Sequence, residues 1–187
     1  MNSSPATIVE QYRKPLAASL LKAPGWTESD YSLKPVSSWA SDKVKLIAAT
    51  HKEERNGPFP FFAIMSDGTL VSNYDENAFQ TIVQKEFTDL SEAQAPTVAR
   101  LGVLFGGFAP KVVGEFSDQV PKDSGLVPPR TTADVEYSLK DGVHILRFYT
   151  RDFELNISYD CIIEISNGVV KASAQALSKP VTDSDAN

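Results

Sequence analysis

Residues 135–149, VEYSLKDGVHILRFY, alternate apolar and polar side chains on both sides of an Asp–Gly pair. A period of two marks a strand with one buried face. A two-residue turn at Asp141–Gly142 suits the segment, because both central positions of such a turn take positive φ, which Asp and Gly tolerate. The turn fixes a register. Leu139 then faces His144, Tyr137 faces Leu146 and Val135 faces Phe148, with Glu136 opposite Arg147 on the other side. A turn at Asn167–Gly168 sets Ile165 against Val170, Ile163 against Ala172, Cys161 against Ala174 and Tyr159 against Ala176. Its other side sets Glu164 against Lys171. Each turn separates an apolar face from a face of opposite charges, and a slip of one residue would mix the two. The stretch TRDFELNISYDCIIEI joins the hairpins into a meander, with Leu155, Ile157, Tyr159, Cys161, Ile163 and Ile165 inward.

Upstream the period lengthens. Ile8, Tyr12, Leu16 and Leu20 recur at every fourth position and predict a helix over 5–22. Pro5 suits its first turn, where an amide would be unpaired anyway. Pro15 should kink or split it. Residues 26–42, rich in Ser, Pro and Asp, predict a long surface connection anchored by Trp26 and Trp39. KVKLIAATHK and PFPFFAIMSDGTLVSNY predict strands, the second folded at a two-residue Asp67–Gly68 turn. Asn56–Gly57 predicts a looser turn. Asp75 is placed to cap a helix carrying Phe79, Ile82, Val83 and Phe87 on one face. Ser91 to Gln94 reads as a capping box opening another helix through Val98, Leu101, Leu104 and Phe105, which Gly106–Gly107 ends. Pro96 leaves the start of that helix open. A strand KVVGEF follows, then a Pro/Ser/Asp-rich loop over 117–130, and residues 178–187 form a flexible polar tail.

This order predicts one α+β domain over residues 1–187. A curved antiparallel sheet, ending in a meander of about four to five strands, packs on helices at one face. Cystatin-like and helix-grip architectures match the element order alone, and a fold does not fix a function.

The bulk numbers narrow the classes. A chain of 187 residues buries roughly 70% of its unfolded surface and needs no crosslink to fold. Its single cysteine excludes an internal disulfide and any Cys-based zinc cluster, as in a reducing cytoplasmic setting. The N-terminus lacks the basic start and apolar run of a leader, and no run approaches the roughly 18 apolar residues of a membrane span. A net charge of -6 repels phosphate backbones, so neither nucleic acid nor membrane is an expected partner.

Few residues carry candidate chemistry. His144 shares the inward face with Tyr137, Leu146, Phe148, Tyr159 and Cys161. These six form the candidate ligand-binding set, and the alanines of the last strand leave room beside them. The leading expectation is a non-catalytic binding or interaction module for a small apolar molecule or a protein. The alternative is a small pocket enzyme using His144 for acid–base chemistry. His144 as a packing residue is the plainer reading, since no nucleophile or carboxylate stands at a telling spacing. His51 with Glu54 lacks a second histidine at helical spacing, so no metal and no cofactor is expected. Cys161 reads as a small buried apolar side chain. Arg147, Tyr149 and Arg151 read as a solvated outer row, because Glu136 faces Arg147. Ile145 and Ile162 on that outer face point to a cover there, such as a second copy of the chain.

Overall fold

The computed structural model describes residues 5–20, 30–36, 42–52, 60–106, 108, 115–117, 135–152 and 157–177. The expectations for Trp26, Trp39, Asn56–Gly57, Leu155, the loop beyond Ser117 and the tail lie outside them. The chain is α+β, with two antiparallel sheets. It forms two compact units, Met1–Phe87 and Thr88–Asn187.

In the first unit, helix α1 (Pro5–Leu20) runs unbroken through Pro15, which is exposed. The expected split does not occur. Strands β1 (Tyr31–Pro35), β2 (Lys45–His51), β3 (Phe61–Ile64) and β4 (Leu70–Ser72) form a meander in chain order. Val9 and Leu16 of α1 join Ile47, Ala49, Phe62 and Ile64 in one buried cluster. Leu46 and Ala63, paired on the opposite face, are buried too.

Within the connection expected over 26–42, Tyr31–Pro35 form strand β1. Tyr31 and Leu33 pack against the cluster, being two residues apart and so on one face of the strand. It is an edge strand, and Pro35 ends it, where a missing amide does least harm.

The Asp67–Gly68 turn also differs. Only Gly68 has positive φ, at 83°. The Gly68 amide donates to the Met65 carbonyl at 3.0 Å, and the Met65 amide to the Thr69 carbonyl at 2.9 Å. This is the longer hairpin loop that places one glycine in the left-handed region. Asp67 is spared that conformation because its carboxylate accepts the Thr69 amide at 2.8 Å.

Helix α2 (Ala78–Glu86) buries Ala78, Phe79, Ile82, Val83 and Glu86. Asp75 does not cap it with its side chain. Its carboxylate instead accepts the Ser72 amide at 3.0 Å, while its carbonyl accepts the Ala78 amide.

In the second unit, the Ser91–Gln94 capping box forms as expected and opens a 3-10 turn, Glu92–Gln94. This runs into α3 (Ala95–Leu104), with Pro96 in the first turn. Gly106, at φ 70°, ends the helix. Strands β5 (Glu115–Ser117), β6 (Glu136–Lys140), β7 (Val143–Asp152), β8 (Ile157–Ser166) and β9 (Val169–Ala176) make the second sheet. One edge of β7 pairs with β8. Its other edge is shared by β6, opposite Val143–Arg147, and β5, opposite Tyr149–Arg151. Asp141 and Asn167 both take φ 50°, each followed by a glycine at positive φ. The two hairpins therefore have the register expected from the pattern.

Candidate functional site

The second sheet stacks its side chains in cross-strand rows. One row is Leu139, His144, Ile165 and Val170; the next is Tyr137, Leu146, Ile163 and Ala172. A third holds Phe148, Cys161 and Ala174, and a fourth Thr150, Tyr159 and Ala176. All four lie on one face, and α3 packs beside β5 and β7. The six candidate residues divide by depth. Leu146, Phe148 and Cys161 are fully buried, whereas Tyr137, His144 and Tyr159 are half-buried. Burial also fades toward β9, where Ala172 and Ala174 are half-buried and Ala176 is exposed.

The buried three form a floor. Phe148 meets Phe108 edge to face, with ring centroids 5.9 Å apart. The Cys161 thiol lies 3.7 Å from Thr150 Oγ1 and 3.9 Å from the Tyr159 carbonyl oxygen. A buried thiol among such neutral groups packs as an apolar side chain and is a poor nucleophile.

The polar part sits at the rim. Tyr137 and His144 are diagonal neighbours across β6 and β7, within reach of aromatic side chains. Tyr137 Oη lies 2.9 Å from His144 Nδ1 and donates to the Leu90 carbonyl at 3.1 Å. Leu90 is itself buried. The phenol thus ties the β6–β7 hairpin to the segment before α3. His144 is neither a core histidine nor fully solvated, and Leu139 across from it is 59% exposed. The sequence pattern brings Tyr137 and His144 to one face. It does not reveal the Leu90 carbonyl, because a backbone acceptor far along the chain leaves no mark in side-chain pattern.

The outer face departs from expectation. Arg147 is exposed, but Tyr149 is only 4% exposed and Ser158 3%. The Arg147–Tyr149–Arg151 row is therefore not a solvated strand face along its length, and Tyr149 offers no open ring for stacking.

A second polar centre, missed in the sequence, lies in the first unit. Glu86 is 6% exposed, and its Oε1 accepts both the Ser66 amide and the Ser66 hydroxyl at 2.7 Å. Lys43 Nζ donates to the Glu86 carbonyl at 2.8 Å and sits 5.6 Å from the Phe87 ring centroid. The signal was a carboxylate on the apolar stripe of α2, three and four residues after Val83 and Ile82. His51 ends β2, and its side chain, like Glu54, lies outside the described residues. Among the described residues no group of three or more His, Cys, Asp or Glu side chains gathers around a metal-sized space. Among them no helix is long and apolar enough to cross a membrane.

Comparison with protein-family models, with curated proteins and with solved structures finds no match to this chain.

Proposed function

We propose that the chain is a non-catalytic binding module that takes a small, mostly apolar molecule on the inner face of its second sheet. One observation carries the reading. The same face that is sealed at Leu146, Phe148 and Cys161 opens at its margin into half-buried Tyr137, His144, Tyr159, Ala172 and Ala174. An apolar floor with a few polar groups at the rim is the usual make-up of a small-molecule site. A cytoplasmic setting fits the single, fully buried cysteine. A second reading, the pocket enzyme, draws on the Tyr137–His144 contact at 2.9 Å, which would orient the imidazole so that its other nitrogen acts as the proton acceptor. A protein partner, including a second copy of the chain, would use the outer face, where Ile145 and Ile162 are half-buried.

The test uses N-phenyl-1-naphthylamine, a neutral apolar fluorophore with one N–H donor. The native chain should bind it saturably. Ala174→Leu, which fills the half-buried row, should weaken binding by about tenfold or more while the melting temperature holds. No saturable binding to the native chain, or equal binding by the variant, would overturn the reading.

A further inference from the structure

We infer that the molecule bound at the Tyr137–His144 pair presents a hydrogen-bond donor, such as a hydroxyl or amine N–H, and not a carboxylate. The inference rests on the binding reading above and sharpens it. Tyr137 Oη has one proton and two partners, the Leu90 carbonyl oxygen at 3.1 Å and His144 Nδ1 at 2.9 Å. A carbonyl oxygen has no proton to give, so the phenol proton belongs to the Leu90 contact. The remaining contact needs a proton from Nδ1. A neutral imidazole carries only one proton, so Nε2 holds the bare lone pair. The hydrogen-bond chain therefore fixes the tautomer, and the tautomer fixes the sign of the site.

Its surroundings complete the specification. His144 stands at the half-buried margin, with exposed Leu139 on one side and buried Ile165 on the other. No described residue donates to Nε2. A molecule lying over exposed Leu139 beside His144 meets an apolar surface that ends in an acceptor. A hydroxyl completes that acceptor. A carboxylate would bring lone pairs against a lone pair and would have to import a proton. A site built around one hydrogen bond rejects analogues that cannot make it far more strongly than it rejects a change of one methylene.

Two measurements on the full chain decide the matter. Long-range proton–nitrogen correlation spectra at about pH 8, where imidazole groups are generally neutral, should show His144 protonated at Nδ1. Tyr137→Phe should release the ring from that tautomer. An Nε2–H tautomer in the native chain overturns the inference. In the second measurement, 1-decanol and decanoate displace bound N-phenyl-1-naphthylamine at the same pH. The alcohol should compete at least about tenfold better. Equal competition overturns the donor requirement and leaves the binding reading standing. Failure of the fluorophore to bind at all removes both, with the spectra still reporting the tautomer.

Discussion

At the scale of single residues, Glu86 shows how much one acceptor holds. Its Oε1 collects both donors of Ser66 and so fastens the β3–β4 loop to the end of α2. A buried acceptor that loses its role strands its donors, and that asymmetry outweighs the net value of the bonds themselves. Glu86→Ala should therefore destabilise the first unit by about 1–3 kcal/mol in urea titration, and Glu86→Gln, which keeps an acceptor oxygen, by clearly less. Equal losses would point to packing of the side-chain stem instead. Glu86 was half legible, since a carboxylate on an apolar stripe demands a partner, but Ser66 lies 20 positions away. His144 was half legible in the same way. Its face followed from the register, while its depth and its bond to Tyr137 needed three dimensions.

At the scale of elements, the hairpins were the most readable feature. An Asp–Gly or Asn–Gly pair flanked by alternating residues leaves one register that separates the faces. Asp67–Gly68 misled because the same dipeptide also serves a longer loop, and the Asp67–Thr69 bond decides between them. Strand β1 was hidden by its brevity and by Pro35; two inward residues do not make a period. The glycines now separate by their surroundings. Gly142, at φ 76°, has open space where a Cβ would stand, whereas at Gly68 a Cβ would meet Tyr12 Oη at 3.3 Å. Gly142→Ala should lose only the left-handed strain, about 1 kcal/mol. Gly68→Ala should lose more, because the ring of Tyr12 must also give way. Urea midpoints of the two variants check the order, and a Gly142→Ala loss equal to or above that of Gly68→Ala would refute it.

At the scale of the whole molecule, the break between the units at Phe87 coincides with no Gly- or Pro-rich linker, so composition does not announce it. The charges are placed unevenly. In the first unit, hydrogen bonds from Lys85 and then Thr69 hold the Asp67 carboxyl well below the usual carboxylate range. Arg13, by hydrogen bond and charge, lowers the Glu10 carboxyl too. A carboxyl with a lower pKa folded than unfolded adds stability above the unfolded pKa, about 3.9 for Asp and 4.3 for Glu. That stability is lost as pH falls toward the folded values. Both pairs are exposed, so the effect is modest and salt weakens it. Amide exchange should lose protection in residues 1–87 as pH falls from about 5 to 3, and Asp67→Asn should flatten the loss. Unchanged pH dependence in that variant would show that the pair contributes nothing. Time acts on the other unit. The Asn167–Gly168 turn that sets the β8–β9 register is also the dipeptide whose side-chain amide is most readily attacked by the following backbone nitrogen. The resulting isoaspartate lengthens the main chain by one carbon, and a two-residue turn has no slack for it. The hairpin that defines the sheet therefore carries its own ageing clock, held back only while the turn stays closed, and peptide mapping of stored protein should find isoaspartate accumulating at Asn167 faster once the turn is loosened.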